Sequence, residues 1–216
     1  MRGKQFGLIG MSIPVLFLTG MVIYYTLFNI KGFFRINQDP ILFYTLPQLQ
    51  GSGWMANFNH VFIGFLMILF IILLIRMTNN SFPNRTGKYL LLISSIGWMI
   101  NGLLHFYATD KNELIEILLI LHIMILGCGA MGYITLSSEF EYINKNTRLK
   151  KLILFCGVLI ILEGLINLIF DIILGKYPNI ISKIIWLIYF SGFGIIGYAV
   201  VTKPFEYLNN KSTPTS

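Results

Sequence analysis

The chain has 216 residues, of which 56% are hydrophobic and only 12% charged, and its mean hydropathy is +0.73. Such a composition lies far outside that of a water-soluble globular domain and excludes a soluble enzyme. The net charge of +7 superficially suits a nucleic-acid partner, but basic residues of a membrane protein gather on cytoplasmic loops, so no nucleic acid is expected and the bilayer is the first partner.

In chain order, apolar runs cover residues 6–30, 54–75, 89–109, 114–137, 152–175 and 184–202, each close to the roughly 20 residues that cross a hydrocarbon core as a helix. The fold class they predict is an all-α integral membrane protein, one six-transmembrane-helix bundle. The first run follows Arg2 and Lys4 as a secretory signal would. It is about 25 residues long and has no Ala-x-Ala site, since the first alanine is Ala56, and it reads as a retained helix. Turn-forming residues separate the runs: Asn79-Asn80-Ser81-Phe82-Pro83-Asn84, Asp110-Lys111-Asn112-Glu113 and Tyr177-Pro178-Asn179.

Orientation follows from the cations. Arg2, Lys4, Arg76, Arg85, Lys88, Lys145, Arg148, Lys150, Lys151, Lys203 and Lys211 share one side, against Lys31, Arg35, Lys111, Lys176 and Lys183 on the other. Both termini are therefore expected in the cytoplasm of a multi-pass cell-membrane protein. The first outer segment, residues 31–53, is apolar rather than hydrophilic, with Phe33, Phe34, Ile41, Leu42, Phe43, Tyr44 and Leu46. It reads either as an interfacial anchor or as a lid over an outward-facing pocket.

No dinucleotide fingerprint, phosphate loop, His-Glu-x-x-His or Cys-x-x-Cys occurs in the chain. Cys128 and Cys156 lie inside apolar runs and imply neither a disulfide framework nor a metal cage. The candidates for chemistry are polar side chains within the helices, which are expensive there. Glu163, Asn167 and Asp171 recur every fourth residue on the fifth helix and form one stripe. Ser94, Trp98, Asn101 and His105 form another on the third, while the second helix adds Asn57 and His60 and the fourth His122. At 1.5 Å per residue, Asn101, His122 and Asn167 lie roughly 12 Å below the outer boundary, His60 about 9 Å and His105 about 6 Å. The expected ligand site is a shared outer-half pocket lined by Asn57, His60, Asn101, His105, His122, Glu163, Asn167 and Asp171, with His60 at its rim. An interhelical hydrogen bond that fixes packing is the simpler role for any one of them. The glycines of Gly127-Cys128-Gly129-Ala130-Met131-Gly132 and of Ser191-Gly192-Phe193-Gly194 with Gly197 read as places of close helix approach.

The stretch Leu46-Pro47-Gln48-Leu49-Gln50-Gly51-Ser52-Gly53-Trp54 running into Asn57, Asn59 and Gly64, followed by Gly97, Gly102, Asp110 and His122, resembles the membrane family catalogued as domain of unknown function 998. The likeness extends over roughly residues 6–200 and implies a six-helix bacterial or archaeal membrane protein without implying an activity. The family's Glu-Arg pair near the start of the sixth helix has no counterpart in Lys183-Ile184-Ile185-Trp186-Leu187-Ile188-Tyr189.

Three functions compete. The leading one is binding or movement of a small or lipidic ligand through the pocket, with no cofactor, as a homo-oligomer or with a membrane partner, because six helices without an evident repeat fall short of a complete alternating-access carrier. An intramembrane zinc-dependent lipid hydrolase would use His60, His105 and His122 as metal ligands with Asp171 or Glu163 as base. In residue types and depth it resembles the general plan of the ceramidase-like membrane hydrolases. A haem- or quinone-linked electron carrier would use a pair such as His105 and His122.

Overall fold

The computed structural model describes residues 2–27, 53–77, 84–107, 111–143, 147–174 and 179–202. These form six helices: α1 (Arg2–Leu27), α2 (Gly53–Met77), α3 (Asn84–Tyr107), α4 (Lys111–Ile143), α5 (Thr147–Leu174) and α6 (Asn179–Thr202). Within α2, α3, α4 and α6 the segments Phe58–Met77, Thr86–Leu104, Ile120–Ser138 and Ile184–Thr202 are long and apolar enough to cross a membrane. Large apolar side chains cover the outside of the bundle, among them Val15, Phe65, Ile120, Ile123 and Phe155. In water this surface would be a severe liability; against acyl chains it is the ordinary one.

Each helix packs against its neighbours in the chain, and α6 returns against α1 to close the ring. Lipid tails are as apolar as leucine, so helices associate by close packing rather than by hydrophobic expulsion, and small residues let backbones meet. A Cβ built on Gly197 of α6 would lie 2.5 Å from the Gly7 carbonyl oxygen and 2.6 Å from the Met11 nitrogen of α1. Gly102 of α3 faces the Val61 nitrogen of α2, at 3.0 Å from such a Cβ, and Gly157 of α5 faces the Ala130 carbonyl of α4, at 2.8 Å. Successive helices therefore run antiparallel, with Arg2 of α1 and Thr202 of α6 at one end of the bundle and the starts of α2, α4 and α6 at the far end. Gly129 and Gly132 make the close approaches expected of them, but a Cβ on Gly127 would meet nothing within 4 Å among the described residues.

The hydropathic runs mark only part of each helix. α3 begins at Asn84 and takes in Lys88, which is 2% exposed; it is a buried helical residue, not the loop cation that the charge count assumed. α4 continues to Ile143. Helical hydrogen bonding extends through polar turns that a hydropathy window leaves out, and a lysine stem is itself apolar.

Aromatic side chains fill the centre of the ring. Phe17 of α1, Phe70 of α2, Trp98 of α3, Tyr133 of α4 and Trp186, Tyr189, Phe190 and Phe193 of α6 are all buried. The four from α6 fall at i, i+3, i+4 and i+7, one helical face, and that face points inward.

Candidate functional site

The α3 stripe is one buried face, as its spacing predicts: Ser94, Trp98 and Asn101 are each at most 1% exposed. Ser94 Oγ donates to the Ile125 carbonyl of α4 at 2.6 Å and lies 2.6 Å from the Tyr189 hydroxyl of α6. A serine has one hydroxyl hydrogen, so with that proton on Ile125 it is Tyr189 that donates to Ser94. Tyr133 Oη in turn donates to the Tyr189 carbonyl. Gly129 leaves room for the Tyr189 ring and Gly192 for the Tyr133 ring, since a Cβ at either would collide with it. The network ties α3, α4 and α6 together at mid-bundle. Ser94→Ala strips the Tyr189 hydroxyl of its acceptor, a buried loss of about 1–3 kcal/mol. Its thermal midpoint in detergent should fall by several degrees, and an unchanged midpoint would mean that the hydroxyls do not depend on one another.

Towards the far end, four rings from four helices lie in a row. His60 of α2 stacks on Trp98 with centroids 4.6 Å apart and planes at 17°. Trp98 meets Trp186 at 4.4 Å, and Trp186 meets His122 of α4 edge-on at 4.6 Å and 87°. Phe190 packs against Trp98 at 5.0 Å and against Phe17 at 4.2 Å, closing the row on the side of the termini. His60, Trp98 and Trp186 are buried, whereas His122 is half-buried. Two polar atoms in the row, Trp98 Nε1 and His122 Nδ1, are buried and have no hydrogen-bond partner among the described residues. Most buried polar atoms do have one.

Of the residues expected to share a pocket, the structure thus joins His60 and His122 through two tryptophans. His60 is not at a rim: at 2% exposed it is sealed against Trp98, because Gly102 lets α2 and α3 come together there, a Cβ on Gly102 lying 2.9 Å from the His60 Cβ. Asn101 is buried one turn beyond Trp98. Glu163 is also buried, six residues along α5 from the Gly157 contact with Ala130, or about 9 Å further towards the far end, within a turn of the depth of His122. The side chains of Asn57, His105, Asn167 and Asp171, and residues 31–52 of the outer segment read as a lid or anchor, lie outside the described residues. Among the described residues no three His, Cys, Asp or Glu side chains gather as a metal-holding group; His60 and His122 are separated in the row by Trp98 and Trp186. Cys128 and Cys156 are free thiols.

The reading by polar residues missed α6 altogether. Trp186 and Tyr189 carry the centre of the site, and the signal for them was the aromatic period of α6 rather than any charged or amide group. In comparisons with known proteins, no family model, no curated protein and no solved structure matches the chain.

Proposed function

We propose that this chain is a multi-pass membrane protein in which all six helices cross the bilayer with both termini in the cytoplasm, and that the ring cluster in its outer half binds or moves a small or lipidic ligand. The observation that carries this is the pair of buried unpartnered nitrogens, Trp98 Nε1 and His122 Nδ1. A buried donor or acceptor left unsatisfied costs about 1–3 kcal/mol. Apolar residues at these positions would avoid that cost, whereas an incoming polar group recovers it. The half-buried His122 supplies a way in from the side of the bundle. In such a site Trp98 donates a hydrogen bond, His122 orients the bound polar group, and the surrounding rings exclude water.

Native mass spectrometry of the detergent-purified protein tests the reading. Wild type should retain a small molecule or lipid that a Trp98→Phe, His122→Phe double variant releases; identical spectra from correctly folded samples would overturn it. The topology has its own test, because cysteines introduced at Ser52 and at Asn146 should label from opposite faces of the membrane. Labelling from one face would remove the six-span arrangement.

A further inference from the structure

The seam between α4 and α5 is closed at one level and open at the next. A Cβ on Gly157 would lie 2.8 Å from the Ala130 carbonyl oxygen and 2.8 Å from the Ile134 side chain, and Ala130 is 0% exposed. Gly157, Ile160 and Gly164 fall at i, i+3 and i+7, one helical face. Ile160 is buried at 2%, yet Gly164 is exposed, and a Cβ on it would meet nothing within 4 Å among the described residues. α4 mirrors this. Ala130, Gly127 and Ile123 share the face that meets α5, and burial at Ala130 gives way to an exposed Gly127 and to Ile123 at 65%. Gly157 to Gly164 and Ala130 to Ile123 are equal climbs of about 10 Å. Because the two helices run antiparallel, both walls open towards the far end at the same level.

His122 lies at that level. Its ring meets Trp186 edge-on at 4.6 Å, facing the centre, and yet the side chain is half-buried. The α3 side of α4 is sealed there: Leu121 and Ile125 are 9% and 0% exposed, and a Cβ on Gly97 would lie 2.8 Å from Ile125. On the α5 side Ile123 and Gly127 are exposed.

We infer that α4 and α5 part in the outer half as a crevice open to the bilayer, that an acyl chain of a bilayer lipid occupies it, and that a lipidic ligand reaches the ring cluster along it. This rests on the reading above that all six helices cross the bilayer and that the cluster binds a ligand. The occupant follows from what borders the opening. The crevice is continuous with the lipid-facing surface of Ile120, Ile123 and Leu165, 70%, 65% and 51% exposed. A void between apolar walls forfeits packing contacts that a flexible hydrocarbon chain restores. The backbone at Gly127 and Gly164 bonds within its own helix, so hydrocarbon can lie against it without stranding a polar group.

The test uses the full chain carrying Trp54→Phe, so that fluorescence comes from Trp98 and Trp186, the two remaining tryptophans, each 1% exposed. It is reconstituted in vesicles of dioleoyl phosphatidylcholine, or of the same lipid brominated across its double bonds, since bromine quenches an indole only at close range. The brominated vesicles should quench the protein. A Gly127→Leu, Gly164→Leu double variant fills the crevice from both walls and should lose most of that quenching, whereas Val15→Phe, on the outer surface of α1 at 61% exposed, should keep it. The double variant's thermal midpoint should be no lower than wild type, because leucine favours the helix over glycine and its side chains enter space that lipid vacates.

The inference is overturned if brominated lipid leaves wild type unquenched, a result that needs no variant, or if quenching survives the double leucine. It is overturned equally if the double leucine lowers the midpoint, since protein would then already fill the space; a change of oligomeric state in that variant identifies a second copy as the occupant. The native spectra decide the ligand site separately. A lipid or small molecule retained by a protein that bromine does not quench would keep the site and remove only this path to it.

Discussion

Trp186→Ala should be the most destabilising single truncation in the bundle, at about 3 kcal/mol, the lower end of what Trp→Ala costs in well-packed cores. The side chain is 1% exposed and touches Trp98 at 4.4 Å, His122 at 4.6 Å and Tyr189 at 5.5 Å. Removing it opens a void between α3, α4 and α6 that their backbones cannot close, because the Ser94, Ile125 and Tyr189 hydrogen bonds hold those helices apart at a set distance. The lower end applies because an unfolded reference in lipid already shelters an indole, so the loss is mainly of packing contacts rather than of burial from water. Equilibrium unfolding in mixed detergent micelles would measure it. Trp186→Phe should recover most of the loss, and a Trp186→Ala protein as stable as wild type would show that the ring row is not packed.

Gly197→Ala is the second large effect, and it adds only one methyl. The new Cβ would meet the Gly7 oxygen at 2.5 Å, the Met11 nitrogen at 2.6 Å and the Gly10 carbonyl carbon at 2.8 Å. All three are backbone atoms, so no side chain can rotate away and α1 must move off α6. Overpacking typically costs about 1–3 kcal/mol, and a rigid backbone contact puts this site at the top of that range. Gly127→Ala is the matched control: nothing lies within 4 Å, and alanine in a helix interior is favoured over glycine by roughly 0.5–1 kcal/mol. Thermal midpoints of the two variants should move in opposite directions. Equal midpoints would contradict the α1–α6 contact.

Both experiments turn on residues that carry no functional signal in the sequence. Ser94, Trp98 and Asn101 could be read as one buried face because a 4-3 spacing leaves them nowhere else to point, and the structure buries all three. That His60 and His122 fall at neighbouring levels of the bundle was legible from rise per residue, and one row of rings holds both. Their surroundings were not. His60 is sealed rather than at a rim because Gly102 brings α2 and α3 together at that level, a fact of helix packing with no local signature. Lys88 was misplaced for a related reason: hydropathy reports which residues prefer lipid, whereas helix length and burial depend on where the backbone hydrogen bonds stop and what packs against the stem.

The sequence by itself determined the number of helices, their order and the position of each polar group along its own helix, because intrahelical hydrogen bonding is the way an apolar segment satisfies its own backbone in lipid. Rise per residue then converts chain position into distance along the helix axis. Tertiary structure alone decided which rings meet at a given depth. Rotation of each helix about its axis is set by its contacts with its neighbours: the Gly197 crossing on α1, the Gly157 crossing on Ala130, and the Ser94 and Tyr189 bond between α3 and α6. Those contacts turn the aromatic face of α6 into the centre and make Trp186 the link between Trp98 and His122. No single helix encodes that link, since it depends on three helices packing at once.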